Sequence, residues 1–136
     1  MKSNHKLLLT IFTICLVTST ILAFTPTDKI CGEDETSSCS IVQNSEYKET
    51  LGIKNSYSGI FIFTMLILIT ASQIKNPTQN KKTAITFLVT IAALGAFYFI
   101  YIQAFIIKAF CLYCMVVDIG SILALIIIIA TKNKTK

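Results

Sequence analysis

Four long apolar stretches, at residues 7–24, 57–74, 83–107 and 110–130, occupy most of this chain and leave little of it for anything else. Each is long enough to carry a helix across the hydrocarbon layer of a bilayer, which takes about 17–25 residues. None alternates apolar with polar residues as a barrel strand does, and helices are the other way a backbone satisfies its hydrogen bonds in lipid. Both prolines, Pro26 and Pro77, fall between the stretches, where a missing N–H does no damage. The expected fold is therefore all-α, a four-transmembrane-helix bundle forming a single membrane domain over residues 1–136, with a long first loop.

Composition agrees with this and excludes one alternative. Hydrophobic residues make up 54% of the chain and charged ones 14%, against about 25% charged in soluble domains. A net charge of +5 would ordinarily raise the question of nucleic acid. All 12 basic residues are lysines, however, and most sit at the ends of apolar runs. No arginine is available for bidentate recognition of bases or phosphates, so no nucleic-acid partner is expected.

Lys2 and Lys6 ahead of an apolar run also fit a secretory signal peptide. The run is longer than such peptides use, Ala23-Phe24-Thr25 is a poor cleavage site, and removal would leave an odd number of helices. A retained first span is expected. Lysine placement then sets orientation. Lys2 and Lys6, the second loop with Lys75, Lys81 and Lys82, and the tail with Lys132, Lys134 and Lys136 carry no acid. The first loop instead holds Asp28, Glu33, Asp34, Glu35, Glu46 and Glu49 against Lys29, Lys48 and Lys54, and Lys108 marks the third. The expectation is a multi-pass protein of the cell membrane with both termini cytoplasmic and loops one and three outside. The Asn133-Lys134-Thr135 sequon would then face the cytoplasm and be silent.

Four of the five cysteines fall where this topology puts the outer, disulfide-permissive face. Cys15, inside the first span, reads as a small buried hydrophobe. Cys111 and Cys114 stand three apart at the start of the fourth span, on one helix face, where they can close a disulfide. The helix N-terminus favours thiolate over thiol, a setting suited to exchange; a structural bridge or a chance pair is the plain alternative. Cys31 and Cys39 enclose a short polar segment, and alone would more often be a structural loop disulfide. A four-thiolate zinc site fits poorly, because the spacings of seven and two do not match paired zinc knuckles, so no metal is expected. Asp118 lies one turn beyond Cys114 on the same face, with Ser121 continuing the stripe. An acid inside a span is costly and by default functional. Desolvation favours its neutral form, so it could carry a proton beside the thiols; the alternative is an interfacial carboxylate bonded to water or to Lys108.

In order along the chain, these features resemble the vitamin K epoxide reductase family, including its prokaryotic quinone-linked members. Cys31-x7-Cys39 matches the family's loop cysteines, and Ser40-Ile41-Val42 fits the short helix that follows them. Ser45, six residues past Cys39, stands at the family's Ser/Thr position. Asn55-Ser56-Tyr57-Ser58-Gly59 resembles its Asn-Ser-x-x-Gly entry to the second span, and Phe110-Cys111-x-x-Cys114 its active-site pair. The resemblance implies a relay in which an external thioredoxin-like (DsbA-like) protein passes electrons to Cys31 and Cys39. Cys39 would exchange with Cys111, and Cys114 would face a membrane quinone such as ubiquinone or menaquinone. It further implies that Asn55 hydrogen-bonds a quinone oxygen and that Ser45 shapes the helix over the pocket. Phe61, Phe63, Tyr98 and Tyr101 could line that pocket, although an aromatic stripe in a span is usually packing. Asp118 stands where the vertebrate enzymes carry tyrosine, so epoxide reduction is not implied. The expected function is a quinone-dependent thiol oxidoreductase that supports disulfide formation. The alternatives are a quinone or quinone-epoxide reductase using thiols as donor, and a non-enzymatic four-span protein with structural disulfides.

Overall fold

A computed structural model of the protein describes residues 2–32 and 37–134. Glu33, Asp34 and Glu35 of the acidic loop, and Thr135 and Lys136 of the basic tail and its sequon, lie outside the described residues. The first long helix is α1 (Lys2–Phe24). A cover follows, built from α2 (Thr27–Cys31), α3 (Ser38–Asn44), a 3-10 turn at Glu46–Lys48 and a hairpin of β1 (Glu49–Thr50) and β2 (Ile53–Lys54). Then come α4 (Asn55–Lys75), α5 (Gln79–Tyr101), a π-helical continuation of α5 at Ile102–Ile107, and α6 (Leu112–Lys134). The four long helices are each apolar and long enough to cross a bilayer. The fold is thus an all-α membrane bundle. Its differences from expectation are local: the fourth helix begins at Leu112, leaving Cys111 on the linker, the third span ends in a π segment, and the cover contains a hairpin.

Helix α1 packs on α4 and α6, and α5 closes the ring by packing on the same two helices. Their shared interior is a narrow stripe that includes Leu8, Phe12, Cys15, Phe63, Leu66, Ile85, Val89 and Ala124, with the Phe12 and Phe63 rings 6.4 Å apart. The outward faces, with Phe61, Leu68, Phe87 and Leu94, stay exposed as lipid-facing surfaces do. Lipid gives apolar side chains no reason to leave it, so close packing at small residues has to hold such helices together. Two glycines serve this. A Cβ at Gly120 would lie 2.5 Å from Cys15 Sγ, and one at Gly59 would lie 2.8 Å from Ser19 Oγ. Both notches bring a helix against α1.

At the end away from the cover, short polar contacts tie the helices. Asn4 Nδ2 donates to Thr131 Oγ1 at 2.8 Å, linking α1 to α6. The Thr78 N–H donates to Gln73 Oε1 at 3.0 Å, and Lys81 Nζ donates to Ser72 Oγ at 2.8 Å and to the Asn76 carbonyl at 3.2 Å. Lys81 therefore also closes the turn between α4 and α5, satisfying carbonyls that the end of α4 leaves open.

The cover is held by side-chain caps. Ser37 Oγ accepts the Ser40 N–H at 3.3 Å to start α3, as an N-cap serine does. Ser45 Oγ donates to the Val42 carbonyl at 2.8 Å where α3 stops. In the hairpin, Glu49 pairs with Lys54 across a two-residue turn in which Leu51 and Gly52 both take positive φ, 57° and 78°. Such turns usually carry Asn-Gly or Gly-Gly. Leu51 gives no such signal, which is why the sequence reads simply as loop here.

Candidate functional site

The site forms where α3 lies against the linker that leads into α6. Cys31, ending α2, is disulfide-bonded to Cys39 on α3, with their Cα atoms 5.3 Å apart. Cys39 Sγ is in turn 3.9 Å from Cys111 Sγ. Cys111 and Cys114 are free thiols, the first fully buried and the second half-buried.

Local structure fixes Cys111 from several directions. It is the residue before the first turn of α6, its carbonyl accepting the Met115 N–H at 2.9 Å. Its sulfur accepts the Cys114 N–H at 3.4 Å, the bond that a serine or aspartate oxygen makes at an N-cap. Its own N–H donates to Gln103 Oε1 at 3.0 Å. Hydrogen bonding from the Cys114 side chain, joined by backbone N–H groups and Gln43, outweighs burial and holds the Cys111 thiol below its ordinary range. A helix N-terminus adds to the same preference for thiolate.

Gln103 is the connecting piece. It belongs to the π-helical segment that ends the third span, where Lys108 turns into the left-handed region and the Ala109 N–H returns to the Gln103 carbonyl at 3.1 Å. Single π turns inside α-helices recur at functional sites, because the extra residue re-aims neighbouring side chains. Here the buried Gln103 amide accepts from the Cys111 N–H and donates through Nε2 to Asp118 Oδ2 at 3.4 Å. Asp118 is itself buried on α6.

Between α1, the cover, α4, the π segment and α6 lies a cavity of about 240 Å³. Cys114, Asp118, Ser45 and Asn55 all border it, together with Gln43 and Gln103. Its apolar walls include Leu22, Val42, Phe99, Ile102 and Val117. Of Cys31, Cys39, Cys111 and Cys114, Cys114 is the one among its lining residues, while Cys111 lies behind it against α3. Asn55 opens α4 and braces the hairpin, its Oδ1 accepting from Thr50 Oγ1 and its Nδ2 donating to the Tyr47 carbonyl, each at 2.7 Å. An amide nitrogen carries two donors, so one N–H is left for the cavity.

The aromatic stripe does not line the pocket, in keeping with the expectation that such a stripe is usually packing. None of Phe61, Phe63, Tyr98 and Tyr101 borders the cavity. Phe63 packs on Phe12 in the core, and the other three face outward, because α4 and α5 are rotated to put them on the lipid side. Phe99 is the ring that reaches the pocket. Sequence reasoning passed over Gln43 and Gln103. For Gln103 the signal was available, an amide in an otherwise apolar span, where polar groups mark function or interhelical bonds.

Fold and site together describe a membrane bundle with a bonded sulfur pair and a free pair within one van der Waals contact of each other, the layout of a thiol oxidoreductase. The model of the vitamin K epoxide reductase family matches residues 6–129, and the chain belongs to this family, whose members are membrane oxidoreductases. No curated protein sequence matches the chain.

Proposed function

We propose that this protein is a quinone-linked thiol oxidoreductase that oxidises a thioredoxin-like partner and so drives disulfide formation. The observation that carries this reading is the 3.9 Å approach of Cys39 Sγ to Cys111 Sγ, with Cys114 lining a cavity beside it. A dithiol partner reduces the Cys31–Cys39 disulfide by exchange at the cover. The freed Cys39 thiolate then attacks the sulfur of an oxidised Cys111–Cys114 pair. Thiolates attack disulfides at rates set by their charge and access, and the 3.9 Å separation puts the two sulfurs in contact.

The cavity suits the ring of a quinone. Its 240 Å³ is slightly below the roughly 300–1,000 Å³ of pockets that enclose drug-sized ligands, so it takes a headgroup and leaves a hydrocarbon tail in the lipid. A bound quinone supplies a sink for two electrons and two protons. Asn55 offers the remaining amide N–H to a ring oxygen, and Asp118, buried one turn below Cys114, is positioned to hand on a proton. Ser45 caps the end of α3 at the rim of the pocket through its bond to the Val42 carbonyl. The whole chain acts as one membrane domain, with the termini cytoplasmic and the sulfurs on the outer face, where the acid-rich loop and the disulfide belong.

The test is turnover of purified protein in vesicles with a dithiol thioredoxin-like donor and a quinone. Cys111→Ser should reduce turnover to background; a fully active Cys111→Ser protein contradicts the reading.

A further inference from the structure

One polar side chain at the site has no part in the relay so far. Gln43 lies four residues after Cys39 on α3, so the two share a helix face one turn apart. When α3 docks on the α6 linker, Cys39 meets Cys111 and Gln43 meets Cys114. Gln43 Nε2 lies 3.2 Å from Cys114 Sγ and 3.7 Å from Cys111 Sγ. Its amide nitrogen carries two N–H groups, enough to serve both sulfurs. Neutral thiol sulfur is a weak acceptor, whereas donors to an ionised partner form bonds roughly twice as strong. An amide aimed at two sulfurs from a half-buried site beside Val42 and Cys111 is therefore used fully only when the pair carries charge.

We propose that Gln43 is a catalytic residue of the relay, whose two N–H groups stabilise the reduced, charge-bearing state of the Cys111/Cys114 couple and so set its redox poise. The assignment rests on the relay proposed above. In that relay Cys39 Sγ bonds to Cys111 Sγ, the Cys111–Cys114 bond breaks, and its electron pair leaves on Cys114 Sγ, directly under Gln43. Cys31 then attacks Cys39, restoring the Cys31–Cys39 bond and releasing Cys111 with the second sulfur's electron pair. Two electrons have moved from the cover couple, now oxidised, to the α6 couple, now reduced, and the two thiol protons balance the exchange. The structure has the bond pattern of that end point, with the cover couple bonded and Cys111 and Cys114 free beneath the amide.

Two variants isolate the amide. Gln43→Met keeps the length of the side chain and removes its donors; Gln43→Glu keeps the shape and puts a carboxylate against the sulfurs. Full-length protein, without quinone, is equilibrated in glutathione buffers of graded poise, and each couple is quantified by alkylation and mass spectrometry. In Gln43→Met the Cys111/Cys114 equilibrium should shift about tenfold toward disulfide, about 30 mV for a two-electron couple. Gln43→Glu should shift it further in the same direction, and the Cys31/Cys39 couple should stay at the wild-type poise in both. A wild-type poise for Cys111/Cys114 in both variants overturns the assignment. So does an equal shift of both couples, which would make Gln43 a packing residue of α3. A wild-type protein that equilibrates its couples yet never reduces quinone would contradict the proposed function while leaving the role of Gln43 intact.

Discussion

The two cysteine couples are built in opposite ways. Cys31 and Cys39 belong to short helices of a cover held by serine caps, the Asn55 amide and a two-stranded hairpin, with Val42 its main buried apolar anchor. Cys111 and Cys114 are fixed at the head of a long helix, where one sulfur accepts a backbone N–H and both lie under a glutamine amide. Elements with few buried apolar contacts open at low free-energy cost, whereas packed helices do not. On the proposed function, the loosely built couple is the one that moves between a partner and the membrane, and the couple at the head of α6 is the one held aligned beside the cavity. Gln103 ties this couple to Asp118, its amide accepting from the Cys111 N–H and donating to the Asp118 carboxylate.

Asp118 offers the sharpest way to break that comparison. If it serves the fixed couple alone, Asp118→Asn should slow reoxidation of Cys111 and Cys114 by quinone about 100-fold, within the usual range for proton transfer by a positioned group. Exchange between the two couples, followed by rapid alkylation, should keep its wild-type rate. Equal loss in both steps would show that Asp118 only supports the fold around Cys111.

A smaller effect is expected from the bundle that holds the fixed couple still. Gly120→Ala drives a methyl group toward Cys15 Sγ, and overpacking of this kind costs about 1–3 kcal/mol. Thermal or denaturant unfolding in detergent should register that loss, and Cys15→Ala in the same chain should recover most of it. An unchanged midpoint in Gly120→Ala would mean that α1 and α6 do not depend on this notch.

Much of this architecture was legible in the sequence because its causes are local. Apolar runs of bilayer length declare their helices, and lysine-rich, acid-free connections separate the loops into two classes. A Cys-x-x-Cys at a helix start carries its chemistry in its spacing. The rest depends on features that leave little trace in a single chain. The π turn at Ile102–Ile107 shifts register without changing the apolar pattern, so the Gln103 amide stands out in its span while the partners it meets, Cys111 and Asp118, do not show. The hairpin at Glu49–Lys54 uses leucine where an asparagine would have announced the turn. Helix rotation decides that Phe99 reaches the cavity and Tyr98 does not, and with hydrophobic residues on every face the periodicity is too weak to show it. Gln43 acquires meaning only once α3 is docked on the head of α6.

The central claim is that Cys39 meets Cys111, and it can be read as a bond. In the Cys31→Ser, Cys114→Ser double variant, the two resolving sulfurs are gone and the pair at 3.9 Å is left alone. Mild oxidation of the purified protein followed by non-reducing peptide mapping should yield a Cys39–Cys111 disulfide in most molecules. The Cys31→Ser, Cys111→Ser counterpart should yield far less Cys39–Cys114 bond. A product dominated by Cys39–Cys114, or no intramolecular bond in either protein, would contradict the account.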